Sequence, residues 1–205
     1  MVDSKLDTER LILDAARKVF IQKGLDGARM QEIADEAGIN KALLHYYFRS
    51  KEKLFRMVFI EAMAKFFPTM IGVLASKDIT IEKKIEQFVH HYISVIKDNP
   101  FIPAFIINEL NKNPDQLTEF FVNSGIDLRK VTAIIKDVIA VEIGITEEQA
   151  RHFVVNIISL CVFPFVGRPL LERIIFQSDS RKFNRFINER EKTIVDLLIK
   201  SIPKK

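Results

Sequence analysis

The residues with the clearest chemical vocabulary lie between Ala28 and Lys51. Two short helices that cross steeply need a small residue where they touch, a glycine in the turn and apolar plugs on either side, and Ala34, Gly38, Ile39 and Leu44 meet those demands. Asn40 is placed to cap the second helix and leave its N-terminal amides facing outward, where dipole and free N–H groups favour phosphate. The outward positions of that helix are then Lys41, Ala42, His45 and Tyr46. This set can donate hydrogen bonds, meet thymine methyls and pack against sugars within one major-groove footprint. Tyr47 and Lys51 flank it. Any three-helix cluster places Ala and Gly at such spacing, but a helix this short and exposed has no need of Lys41, His45 and Tyr46 for stability.

Elsewhere the chain is poor in catalytic patterns. His45, His90, His91 and His152 form no metal-ligand spacing with carboxylates or with the single cysteine, Cys161. Glu86 and His90 stand one helical turn apart, as helix-face neighbours do. No G-x-S-x-G, phosphate-binding loop or dinucleotide fingerprint occurs, so an enzyme has no named chemistry here and neither cofactor nor metal is expected. One cysteine excludes an intrachain disulfide. The balance of 31 Lys+Arg against 27 Asp+Glu is mildly basic, so a polyanionic partner would require basic groups gathered in space.

These residues need elements to hold them. With 205 residues, 48% apolar and 28% charged, the chain has the composition of one or two folded domains. Seven Gly and seven Pro leave long uninterrupted stretches, and the apolar spacing predicts an all-α fold. A first helix carries Leu11, Ile12, Ala15, Ala16, Val19 and Phe20 and stops at Gly24; a long one starts after Ser50 and should bend or end at Pro68. The clearest stripe is Ile81, Ile85, Phe88, Val89, Tyr92, Ile93 and Ile96. New helices are expected at Asn99-Pro100 and Asn113-Pro114, a capping box at Thr146 and Gln149, and a last helix from about Ser180 to Ile202. The N-terminus lacks the apolar core of a signal peptide, and the most apolar window, Phe153 to Gly167, is shorter than the ~20 residues of a membrane span. A soluble, cytoplasmic protein with no membrane partner is expected.

The stretch GLDGARMQEIADEAGINKALLHYYFRSKEKLF, Gly24 to Phe55, resembles the N-terminal DNA-binding domain of TetR-type transcriptional regulators, joining IAxxAG, a short helix ending in YYF, and SKxxL in one register. The resemblance implies a three-helix helix-turn-helix head (1–50) joined by a long fourth helix to an all-α ligand-binding and dimerisation body (51–205), about nine helices in all. By the same resemblance, Lys41, Ala42, His45 and Tyr46 face the groove while Asn40, Tyr47 and Lys51 contact phosphates. Arg29 stands in for a hydroxyl donor the family often has at the start of its second helix, and His45 stands where Tyr is common, which bears on base preference. The implied partners are pseudo-palindromic double-stranded operator DNA, a second copy of the chain and a small, largely apolar effector, with repression the expected mode. Body aromatics supply cavity walls, Phe66, Phe88 and Phe105 among them, with His91, Tyr92, Asn108 and Glu109 as orienting polar groups. Phe153, Ile157, Ile194 and Leu198, on the stripes of the last two long helices, are the expected dimer contacts. The contrasting reading is a helical interaction or scaffold protein whose first three helices merely resemble a DNA reader. The sequence names neither the effector nor the operator.

Overall fold

The computed structural model describes residues 2–112, 115, 119, 122 and 128–203, and among these every regular element is helical. In chain order they are α1 (Val2–Gly27), α2 (Met30–Glu36), α3 (Lys41–Tyr47), α4 (Lys51–Ala75), α5 (Ile81–Asp98) and α6 (Ile102–Lys112). Then come α7 (Leu128–Ala133), which continues as a π-helical stretch (Ile134–Ala140) and a final α-turn (Val141–Ile143), α8 (Glu147–Val166), α9 (Arg168–Ile174) and α10 (Ser180–Lys200).

Local chemistry sets most boundaries. The Ser50 hydroxyl accepts from the Lys53 amide at 3.2 Å and starts α4, and Thr146 exchanges bonds with Gln149 in the expected capping box at the head of α8. The Asp179 carboxylate caps α10 by accepting from the Arg181 and Lys182 amides. As expected, Gly24 stops the first helical run: its backbone is non-helical (φ 68°, ψ 179°), and only a short turn follows it as far as Gly27. Two expectations are corrected. Of the two outcomes expected at Pro68, the ending does not occur, since α4 runs on to Ala75; the flanking Phe66, Phe67 and Met70 pack in the body, and that packing outweighs the missing backbone bond. Asn99 closes α5, donating its side-chain amide to the Val95 carbonyl at 3.1 Å, and the next helix begins only at Ile102. Asn113-Pro114 lies outside the described residues.

Two apolar cores result. The first joins Ile12, Val19 and Phe20 of α1, Ile33 and Ala34 of α2, and Leu44 of α3 to Leu54, Phe55, Val58 and Phe59 of α4, then extends to Phe101, Ile102 and Phe105. It therefore crosses position 50: the first half of α4 is part of what holds the head together. The second core packs Ile85, Val89 and Ile93 of α5 against Ile139, Ile143, Phe153, Ile157, Cys161, Ile194 and Leu198. Burial pushes the Cys161 thiol up to about 12, so it stays a protonated, unreactive core group.

This second core corrects the expected dimer contacts. Ile194 and Leu198 are 0% and 2% exposed, and Phe153 and Ile157 are likewise buried, because the stripe α10 presents is the one that covers α5. Among the apolar groups left outside are Val155 and Phe163 on α8, Leu170 and Ile174 on α9, and Leu197 on α10. Two helices, α4 and α8, are by length and composition apolar enough to cross a membrane, α8 being longer than the window read from the sequence. Both contribute buried residues to the cores just described.

Candidate nucleic-acid interface and effector cavity

The head turns as its residues require. Gly38 adopts φ 66°, which lets its own amide reach the Asp35 carbonyl at 3.1 Å and the Ile39 amide the Ala34 carbonyl at 3.0 Å. The Asn40 side-chain oxygen accepts from the Leu43 amide at 2.8 Å and starts α3. Of α3, Leu44 is buried in the head core, whereas Lys41, Ala42, His45 and Tyr46 are exposed and lie on the helix's outer side. Tyr46, 72% exposed, meets the half-buried Tyr47 edge to face with ring centroids 5.4 Å apart.

Two expected phosphate donors behave differently. Arg29 is exposed and caps α2 through its backbone amide, which donates to the Glu32 carboxylate at 3.2 Å. Lys51 is half-buried, and its ammonium donates to the carbonyls of Ala28 and Asp26 at 3.1 and 3.4 Å, tying the start of α4 to the end of α1. Charge pairing gives the head a polarity. Lys18 and Lys23 of α1 hold Glu36 and Glu32 of α2, each at 2.9 Å, and Lys23 holds the Glu32 carboxyl below its ordinary range. Among the described residues, exposed Lys41 and Arg49 have no carboxylate partner, so uncompensated positive charge is left on α3 and the turn after it. Arg49 was not singled out in the sequence; its place between YYF and SKxxL was the available signal.

In the body, α4, α5, α8 and the π-helical stretch enclose an apolar cavity of about 190 Å³, and a second of about 260 Å³ lies between α4, α5, α6 and α8. Phe66 and Tyr92 line both and Phe88 the first, as expected for cavity walls. The other expected lining groups are not there. Phe105 is stacked in the head-side core against Phe55 and Phe59, at 4.6 and 5.2 Å between centroids. His91 lines neither cavity, Asn108 is exposed, and the Glu109 side chain lies outside the described residues. Phe153 and Ile157, expected at a dimer contact, line the first cavity together with Ile134 and Ile139 of the π-helical stretch. A π-turn re-aims side chains within a helix, and apolar periodicity does not reveal one. Burial pushes the Tyr92 hydroxyl well above its ordinary range, so it stays a neutral hydrogen-bonding group.

An all-α chain with a steep helix pair presenting an exposed, basic-dressed second helix, joined through one core to a cavity-bearing body, has the architecture of a helix-turn-helix transcriptional regulator. Residues 12–58 match the family model of bacterial regulatory proteins of the tetR family. The uncharacterized HTH-type transcriptional regulator YuxN of Bacillus subtilis is 30% identical over 96 residues, which are 47% of this chain and 33% of that protein. The probable HTH-type transcriptional regulator YttP of the same organism is 21% identical over 184 residues, 84% of each chain. The crystal structure of HlyIIR, a hemolysin II transcriptional regulator, superposes with a TM-score of 0.59 at 25% identity, covering 97% of this chain and 98% of that one. Residues 12–58 are thus similar to the head of tetR-family regulators, and over nearly its full length the chain is similar in fold to HlyIIR; the proteins it resembles are transcriptional regulators.

Proposed function

We propose that the protein is a cytoplasmic repressor that binds pseudo-palindromic operator DNA as a homodimer and is released from it by a small, largely apolar effector. The observation that carries this reading is the outer side of α3, where Lys41, Ala42, His45 and Tyr46 are exposed beside unpaired Arg49 while Leu44 anchors the helix from behind. In this reading Lys41, His45 and Tyr46 address base edges and Ala42 a thymine methyl; Asn40, Tyr47, Arg29 and Arg49 address phosphates. A single head covers little DNA, and two heads about one helical turn, ~34–36 Å, apart read two half-sites. Exposed Val155, Phe163, Leu170 and Leu197 supply the apolar surface for pairing.

The route from cavity to head runs through two helices. α4 carries Phe55 and Phe59 in the head-side core and Phe66 and Phe67 at the cavities. α6 does the same over fewer residues, with Ile102 in both places, Phe105 against Phe55, and Ile106 at the second cavity. An occupant that spreads α4 from α6 must therefore repack Phe55, Phe101 and Phe105, and with them the seat of α1. A coupling of ~1–3 kcal/mol changes operator affinity about 5–150-fold.

The test is to sequence genomic fragments retained by the protein and titrate the recovered site. Steep salt dependence, with loss of discrimination at one base position in His45→Ala, supports the reading. Equal affinity for the recovered site and random duplex, unaffected by a Lys41/His45/Arg49 triple alanine variant, refutes it and leaves the helical scaffold.

A further inference from the structure

Resting on the reading of the body as an effector site, the geometry points to the effector's chemical class: a neutral molecule with an elongated hydrocarbon body and one hydrogen-bonding group, spanning both cavities and addressed by the Tyr92 hydroxyl. Three observations converge on it. First, the two cavities share Phe66, Phe67, Tyr92 and Ile158 as lining residues. The partition between them is thus built from side chains, chiefly Phe66 and Tyr92, which meet edge to face at 5.2 Å. Side chains change rotamer far more readily than helices move. Second, volumes of about 190 and 260 Å³ each fall short of an ordinary small-molecule pocket, whereas joined they fall within the ~300–1,000 Å³ such pockets occupy. The joined space is long, because its ends lie at Leu74 and Ile81 on one side and at Ile102 and Ile107 on the other.

Third, every described lining residue is apolar except Tyr92. An ionised carboxylate or ammonium there would leave water without a countercharge among those residues, a cost that a hydroxyl, ester or ketone does not meet. The hydroxyl of Tyr92 keeps its proton on burial and can donate to, or accept from, such a group. Hydrocarbon length supplies affinity and Tyr92 supplies orientation.

The experiment uses the full-length protein and straight-chain primary alcohols of eight to sixteen carbons, each paired with the carboxylic acid of equal length at pH 8, read by calorimetric titration and by thermal stabilisation. Alcohol affinity is expected to rise about fourfold per added methylene, then to level off once both cavities are filled, with each acid at least tenfold weaker than its alcohol. Tyr92→Phe is expected to weaken the alcohols about two- to tenfold while leaving binding of an environment-sensitive apolar fluorophore unchanged. Phe66→Ala, which opens the partition, should move the levelling-off point to longer chains. Acids binding as tightly as alcohols, or a Tyr92→Phe variant with unaltered alcohol affinity, overturns this inference and leaves the effector site standing. Failure of alcohols, acids and fluorophore alike overturns both.

Discussion

At the scale of single residues, the head depends on a few groups whose roles are local. Gly38 sits at φ 66° with open space where a Cβ would point, so substitution there meets backbone strain and no clash. Gly38→Ala is accordingly expected to cost about 1–2 kcal/mol in urea unfolding, with Gly38→Asn milder because Asn tolerates the left-handed region. Equal stability of the glycine and alanine proteins would remove the argument. Lys51 shows how one side chain can be legible in type but not in role. The SKxxL register marks it as a phosphate contact, yet its ammonium bonds two carbonyls at the end of α1. Lys51→Met, which keeps the alkyl stem, is expected to lower stability by about 1 kcal/mol and to weaken operator and random duplex alike; an unchanged urea midpoint contradicts the clamp.

Among the elements, α6 and the π-helical stretch bear most on the proposed response, and the place of neither was visible in the periodicity. Phe105 faces the head-side core while Ile106 beside it faces the second cavity, so α6 touches both ends of the proposed transmission. Phe105→Leu retains most of the apolar volume but removes ring contacts to Phe55 and Phe59. It should leave effector binding within about twofold and reduce the effector-induced change in operator affinity by about tenfold, a coupling loss of ~1.4 kcal/mol. Titrating DNA with and without effector measures this directly, and unchanged coupling would place the transmission in α4 alone. The π-helical stretch is held from its far end by Lys84 of α5, which is 1% exposed and pairs with Glu142 at 2.5 Å. Removing one partner strands a buried ammonium, so Glu142→Ala should destabilise by about 2–4 kcal/mol, while the Lys84→Met/Glu142→Leu double variant recovers most of it. A double variant as unstable as the single one would show that the pair does more than neutralise itself.

For the molecule as a whole, the proposed pairing turns on which surface a second copy would cover. Ile194 and Leu198 are committed to the chain's own core, so charges there should unfold the body and leave no soluble monomer. Glutamates at Val155 and Phe163, which are 59% and 56% exposed, should leave the monomer within about 1 kcal/mol of its original stability. They should also shift sedimentation to the monomer and abolish cooperative binding to a two-half-site operator while sparing single half-site affinity. An unmodified protein that sediments as a monomer at micromolar concentration would rule out the pairing itself.

The sequence by itself determined the helical fold, the turn at Gly38, the caps at Asn40, Ser50 and Thr146, and the outward set on α3. Each of these is decided within a few residues, by backbone sterics, a capping oxygen or the 3.6-residue period. Periodicity also marked the stripes of α5, α8 and α10 as apolar without saying what covers them. Only the tertiary structure decided that Ile194 and Leu198 cover α5 and leave Val155, Phe163 and Leu197 outside. It alone sent Phe105 to the core and Phe66, Phe88 and Tyr92 to the cavities, and carried α4 past Pro68. The physical reason is common to all of them. An apolar side chain is equally content against a neighbouring helix, a partner chain or an internal ligand, so its destination is fixed by which helices meet, and that depends on residues distant in the chain.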